Sequence, residues 1–239
     1  MVADNVQYVL HRIAAACDSV GRKPEEVTLV SVAKTFGSDH IRAALGAGAL
    51  DIGENYVQEL LAKHKDIDDP RIRWHFIGHL QTNKVRRIAG LVHMIHSVDS
   101  VHLGKEISKE GERIGKRISV LLEVNTSGEA TKYGVEPTRA HSLAYELSEL
   151  SYLDVAGLMT IGPFLPDPEA SRPAFRMLRR LRDTIEESGI SMRHLSMGMT
   201  NDFEVAIQEG ATIVRIGTAV FGKRSGKKNA LDVSRTTSA

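Results

Sequence analysis

Eight short runs rich in β-branched residues recur along the chain, separated by longer segments whose apolar residues return at helical spacing. The runs are Val27 to Ala33, Ala49 to Gly53, Trp74 to Gly78, Met94 to Val98, Ile118 to Val124, Val155 to Thr160, His194 to Gly198 and Thr212 to Gly217. Helical patterns fall between them at Ser38 to Leu45, Tyr56 to His64, Thr82 to Ala89, Val101 to Ile114, Pro137 to Leu150, Glu169 to Glu187 and Asp202 to Glu209. A further one, Asn5 to Cys17, precedes the first run. Such alternation marks βα units around a parallel sheet, and eight units suit a closed barrel. An open doubly wound sheet alternates in the same way, but it should carry Gly-x-Gly-x-x-Gly after its first strand. Here the first strand runs into Val32-Ala33-Lys34-Thr35-Phe36-Gly37. The expected fold is therefore α/β, a (β/α)8 TIM barrel with an extra N-terminal helix.

A chain of 239 residues with 42% apolar content can bury one substantial core, so residues 1–222 are expected to form one domain. After Gly222 the chain reads Lys-Arg-Ser-Gly-Lys-Lys-Asn and then a Ser/Thr-rich end, too polar to order itself. Residues 223–239 are expected to be a flexible tail. The 30 acidic and 31 basic residues nearly cancel, which leaves no strong field to recruit nucleic acid or an anionic membrane. The N-terminus lacks a charged region followed by an apolar one, and no apolar run is long enough to span a bilayer, so a cytoplasmic location is expected. Cys17, alone, sits in an Ala-rich helical pattern and reads as a small core residue. His75 and His79 straddle a strand end, and His93 and His96 are three apart on a strand, which turns them to opposite sides. No His-Glu-x-x-His or paired Cys spacing accompanies them, so no metal is expected.

Thr28, Val30, Val32 and Lys34 alternate on one face of the first strand. If the valines fill the barrel, Lys34 points inward at the strand's C-terminal end, where barrel enzymes keep their chemistry. Desolvation there disfavours the ammonium form and favours a free amine able to attack a carbonyl. The competing placement lays the lysine stem on the rim with its head in water.

Two later segments bear on that choice. The seventh strand leads into Ser196-Met197-Gly198-Met199-Thr200-Asn201-Asp202 and the eighth ends Arg215-Ile216-Gly217-Thr218. Glycines and hydroxyls after these two strands stand where barrels bind phosphate, although a turn glycine or a helix cap would look the same. Arg215 lies in the apolar run Ile213-Val214-Arg215-Ile216, so it is either paired with a carboxylate such as Glu54 or directed at a ligand. In a closed barrel the first and eighth strands are neighbours about 4.8 Å apart, which lets Lys34 and Arg215 engage opposite ends of one planar cofactor.

Several motifs together resemble the pyridoxal phosphate homeostasis proteins, single-domain relatives of the alanine racemase barrel. They are Leu29 to Thr35, Gly53-Glu54-Asn55-Tyr56-Val57-Gln58-Glu59, Trp74 to Gln81 with Asn83-Lys84, Gly157-Leu158-Met159-Thr160, Ser196-Met197-Gly198-Met199 and Val214-Arg215-Ile216-Gly217-Thr218. The resemblance spans about residues 5–224. It implies that Lys34 bears the imine of pyridoxal 5′-phosphate (PLP) and that Ser196, Gly198, Gly217 and Thr218 cradle the phosphate. It also implies that Arg215 faces the pyridine nitrogen, and that Asn55, His75, Met159 and Met197 lie near the cofactor. An arginine opposite that nitrogen opposes its protonation, because the guanidinium keeps its own charge, and the ring becomes a poorer electron sink. Where many relatives have Lys-Thr-Lys-Pro, this chain has Lys34-Thr35-Phe36-Gly37, so the second lysine's role does not transfer. Lys132 matches a family lysine near the ligand, without an assigned role.

The resemblance implies a carrier that stores PLP and delivers it to apo-enzymes, acting as a monomer, rather than an efficient enzyme. In alanine racemase-like enzymes the second base, a tyrosine, comes from an added C-terminal domain and a partner subunit, and no such domain is expected after the eighth strand. The rival readings are a weak PLP-dependent amino-acid racemase or lyase, a Schiff-base aldolase acting on a sugar phosphate, and a non-catalytic interaction module.

Overall fold

Eight parallel strands close on themselves in chain order: β1 (Thr28–Val32), β2 (Asp51–Glu54), β3 (Arg73–Phe76), β4 (Met94–Val98), β5 (Ile118–Glu123), β6 (Leu153–Met159), β7 (His194–Ser196) and β8 (Ile213–Ile216). The computed structural model describes residues 1–129 and 131–223; the expected tail, but for Lys223, lies outside the described residues. Closure comes from β1, which pairs with β2 on one side and β8 on the other. Helices α2 (Ser38–Gly46), α3 (Val57–Asp66), α4 (Val85–Ile88), α5 (Val101–Ile114), α6 (Pro137–Ser148), α7 (Arg172–Glu187), α8 (Phe203–Gln208) and α9 (Thr218–Phe221) follow successive strands.

α1 (Val2–Asp18) has a specific place in this ring. The last helix, α9, is only four residues long and cannot cover the seam between β8 and β1. α1 packs against α2, α8 and α9 and fills the gap. Its buried Val6, Val9, Ile13, Ala16 and Cys17 lie along one helical stripe.

Strand residues alternate between two environments. One set, including Leu29, Ile52, Trp74, Ile95, Val120, Leu158, Leu195 and Val214, packs with the helices in a continuous apolar shell. The other set shares the barrel interior, where Val30, Met94, Leu121, Ala156, Met159 and Ile213 form a smaller cluster. Each apolar side chain fully buried contributes about 1.5–3 kcal/mol, so the outer shell supplies most of the stability. The interior can therefore hold the buried polar groups Asp51, His75, His96, Ser196 and Arg215.

Some boundaries differ from the periodicity. The helical pattern expected from Glu169 resolves into a 3-10 turn, Pro168–Ser171, and then α7, with Pro173 in its first turn, where a missing N–H costs nothing. The pattern over Thr82 to Ala89 likewise splits into a 3-10 turn, Thr82–Lys84, and the short α4. β7 is three residues long, because the chain turns away at Gly198. The short helix α9 follows β8 without an apolar period long enough to announce it.

Candidate functional site

The C-terminal ends of the strands surround a cavity of about 380 Å³. Of the residues singled out from sequence, Lys34, Asn55, Arg215, Gly217 and Thr218 line it, together with Val32, Ile161, Phe164, Met199, Thr200 and Asn201. His75, Met159 and Ser196 are buried in the barrel beneath it, and Met197 faces away into the shell between sheet and helices. A larger groove of about 510 Å³ runs along the outside of α7 between Arg172, Arg176 and Met177, away from the strand ends.

Lys34 is half-buried just beyond β1. The next residue, Thr35, has φ 70°, a left-handed conformation that a β-branched residue adopts only when its surroundings impose it. The surroundings are visible. The Thr35 backbone N–H donates to Glu59 Oε2 at 2.8 Å, and Lys63 Nζ donates to Glu59 Oε2 at 2.8 Å, to Glu54 Oε1 at 2.7 Å and to the Ala33 carbonyl at 2.8 Å. This cluster pins the chain on both sides of Lys34. Burial pushes the Glu54 carboxyl up to about 7 despite the Lys63 ammonium. The pairing corrects the alternative weighed for Arg215: Glu54 is engaged by Lys63, which is nearer on the rim. Sequence reasoning missed Lys63, although its place on the stripe of Val57 and Leu60 was a usable signal.

Arg215 is almost fully buried, donating from Nη1 to Ser196 Oγ at 2.6 Å and from Nη2 to the Thr160 carbonyl at 2.9 Å. Burial pushes its pKa down to about 10, with Glu123 and Asp202 opposing the shift. Glu123, at the end of β5, is itself pushed up to about 7 by burial and by Asp99, while Arg215 pulls the other way. The hydroxyl of Ser196, expected in the phosphate cradle, instead points into the barrel, where it lies 3.0 Å from His96 Nδ1. His75 sits between His96 and Asp51, 2.9 Å from each. His93 and His96, expected on opposite sides, both approach the His75 ring, with centroids 5.3 and 5.1 Å away. His93 precedes β4, so the strand alternation does not govern it. Among the described residues no group of three His, Cys, Asp or Glu side chains is arranged to hold a metal ion.

On the opposite wall, Gly198 has φ 92°, and a Cβ there would stand 2.6 Å from the Ala206 Cβ. The chain is thereby turned into the loop that carries Met199, Thr200 and Asn201. Asp202 fastens it, accepting from the Met199 N–H at 2.7 Å and from Ser171 Oγ at 2.8 Å. Gly217 and Thr218 open α9, where the first N–H groups of a helix lack intrahelical partners. Lys132 donates to Glu129 Oε1 at 2.6 Å and to the Gly162 carbonyl at 2.9 Å, bracing the segment of Ile161 and Phe164 at the cavity rim. No helix among the described residues is long and apolar enough to cross a membrane.

Residues 6–225 match the family model described as alanine racemase, N-terminal domain. The chain is 47% identical over 222 residues to the pyridoxal phosphate homeostasis protein of Aquifex aeolicus, a match covering 92% of this chain and 97% of that one. Among solved structures it resembles PipY of Synechococcus elongatus with PLP bound, at TM-score 0.77 and 32% identity, covering 88% of this chain and 100% of the other. It also resembles an alanine racemase of Clostridium difficile, at TM-score 0.74 and 14% identity, covering 94% of this chain and 61% of the racemase. At that identity the likeness is one of fold.

Proposed function

The chain belongs to the alanine racemase N-terminal domain family and, within it, to the pyridoxal phosphate homeostasis proteins, and on that premise we propose that it binds pyridoxal 5′-phosphate through Lys34 and carries it in the cytoplasm. The observation that carries this reading is the convergence of Lys34, Arg215, Gly217 and Thr218 on one cavity of about 380 Å³, a volume suited to a small ligand. The residues present fit the cofactor. Asn55 Oδ1 is buried at the cavity wall without a hydrogen-bond partner, and such an atom is costly unless a bound molecule supplies one.

Pyridoxal phosphate, when bound, supplies an aldehyde that takes up an amine and a ring able to accept electron density. Lys34 offers the amine, aimed by the Lys63, Glu54 and Glu59 cluster. Gly217 and Thr218, with Thr200 and Asn201 across from them, offer backbone N–H and side-chain donors to the phosphate. Arg215 would face the ring nitrogen as a donor, which would leave that nitrogen its lone pair and no proton of its own.

That last role favours a carrier over an efficient enzyme, since an unprotonated ring is a weak electron sink. Asp202, a carboxylate that also lines the cavity, is engaged by the Met199 N–H and the Ser171 hydroxyl, which supports the same reading. The protein acts as a monomer that hands PLP to apo-enzymes. The test is the visible spectrum of the purified protein beside Lys34→Ala. The expected result is an absorbance band that borohydride removes, with the reduced adduct mapped to Lys34 by mass spectrometry. An adduct on another residue, or none, overturns the reading, and turnover of free amino acids at enzyme-like rates overturns the carrier assignment.

A further inference from the structure

Five buried side chains cross the barrel interior in single file. Arg215 Nη1 meets Ser196 Oγ at 2.6 Å, Ser196 Oγ meets His96 Nδ1 at 3.0 Å, His96 Nε2 meets His75 Nδ1 at 2.9 Å, and His75 Nε2 meets Asp51 Oδ1 at 2.9 Å. They come from β8, β7, β4, β3 and β2. At the far end Arg73 grips Asp51 through Nε at 2.7 Å and Nη2 at 2.5 Å, and Arg73 is half-exposed at the start of β3. The file thus joins the cavity to the opposite mouth of the barrel.

The two ends dictate its direction. A guanidinium only donates and an ionised carboxylate only accepts, whereas a neutral imidazole does one of each and a hydroxyl donates once and can accept twice. Asp51 accepts from His75 Nε2, and with one proton on each ring the order reads back from there: the Ser196 proton goes to His96 Nδ1 while Arg215 donates to the Ser196 oxygen. His96 then carries its proton on Nε2 and gives it to His75 Nδ1. His75 in turn carries its proton on Nε2 and gives it to Asp51. An extra proton on either ring would reverse a link and leave two donors facing each other or the Ser196 proton without an acceptor. The surroundings agree at His96: burial holds its pKa well below the ordinary histidine value, and the Arg215 charge pushes the same way. Burial alone would raise the Asp51 carboxyl, but hydrogen bonds from His75 and Arg73 outweigh it and keep the group ionised.

We infer that Ser196, His96 and His75 are positioning residues, a one-way file of hydrogen bonds anchored on Asp51 and Arg73 that holds Arg215 in one orientation toward the cofactor ring. This rests on the reading of the cavity as the PLP site. It links Arg215 to the Asp51 carboxylate through three intervening side chains, and it makes a substitution at the far mouth of the barrel perceptible at the cofactor.

The first test needs no cofactor. In PLP-free protein labelled with 15N-histidine, the His75 and His96 rings are both expected to carry a proton on Nε2, and the His96 Nδ1 is expected to be bare. A His96 ring that carries its proton on Nδ1, or that titrates near about 6.5, overturns the file. Asp51→Asn keeps an oxygen to accept from His75 and is expected to retain both tautomers. Asp51→Leu removes that acceptor and is expected to disturb His96 as well as His75; a change confined to His75, which ordinary local packing would produce, counts against the file. In the PLP-loaded protein, Asp51→Leu is expected to shift the visible band and weaken the Kd roughly tenfold. Altered tautomers with an unchanged band and Kd overturn the link to Arg215. If the wild-type protein takes up no PLP, the carrier reading fails while the tautomer result still judges the file.

Discussion

Arg215 lies level with Val30 across the β1–β8 pair, and Lys34 stands four residues further along the chain, two past the end of β1, yet both side chains line the same cavity. Reaching from these two levels, a lysine and an arginine can close around one planar molecule. Arg215 comes from within the barrel and Lys34 from its rim. This stagger assigns them different duties: the buried guanidinium is held by the interior, and the half-buried amine is held by the loop.

The interior's hold on Arg215 is measurable as stability. Arg215→Met leaves Ser196 Oγ and the Thr160 carbonyl without their donor inside the barrel. Losing two charge-assisted hydrogen bonds at a dry site is expected to cost about 2–4 kcal/mol. Urea unfolding followed by circular dichroism checks this in PLP-free protein, where cofactor binding cannot contribute. A loss below about 1 kcal/mol would mean that water fills the place of the guanidinium.

The loop's hold on Lys34 is tested at Thr35. Its φ of 70° suits glycine, so Thr35→Gly removes strain that the Glu59 and Lys63 contacts now impose. Stability is expected to change little or to rise, by up to about 1 kcal/mol, because the relieved strain is partly offset by the greater freedom of an unfolded glycine. Thermal unfolding decides, and a loss above about 1 kcal/mol would contradict the strain.

Glu123 ties stability to pH. Its folded-state pKa, about 7, lies above the ordinary 4.5, so the folded protein binds this proton more tightly than the unfolded chain. The contribution is complete below pH 4.5 and is lost as pH rises toward and through 7. Glu123→Gln mimics the protonated form throughout. The variant is therefore expected to match the wild type in acid and to exceed it above neutrality by an amount on the order of 3 kcal/mol at most. Denaturant midpoints at several pH values check this, and a difference that does not vary with pH would count against it.

Gly198→Ala combines a forbidden backbone angle with a steric overlap. At φ 92° the added Cβ would lie 2.6 Å from Ala206. A cost of about 1–3 kcal/mol is expected. The loop of Thr200 and Asn201 must shift with it, so a spectroscopic titration with PLP should also show a weaker Kd. Unchanged stability and affinity together would show that α8 yields freely.

Local pattern went far in this chain. The alternation of eight runs with helical segments led to the closed barrel, the period of two in Thr28, Val30, Val32 and Lys34 led to a lysine at the cavity, and the cost of burying a lone guanidinium marked Arg215 as a residue with business inside. Each of these rests on short-range periodicity or on the composition of a single run. Such signals survive without knowledge of neighbours.

What pairs with what was decided elsewhere. Ser196 and His96 stand a hundred residues apart in sequence, and nothing in either strand announces that their side chains meet. Periodicity says which face a residue takes, but the stagger between neighbouring strands of a closed barrel decides which levels coincide, and that stagger is a property of the whole ring. So the sequence by itself determined the barrel, its open end and the two basic residues there. Only the tertiary structure decided that Lys63 and not Arg215 answers Glu54, that the Ser196 hydroxyl turns inward, and that a line of hydrogen bonds runs from Arg215 to Asp51.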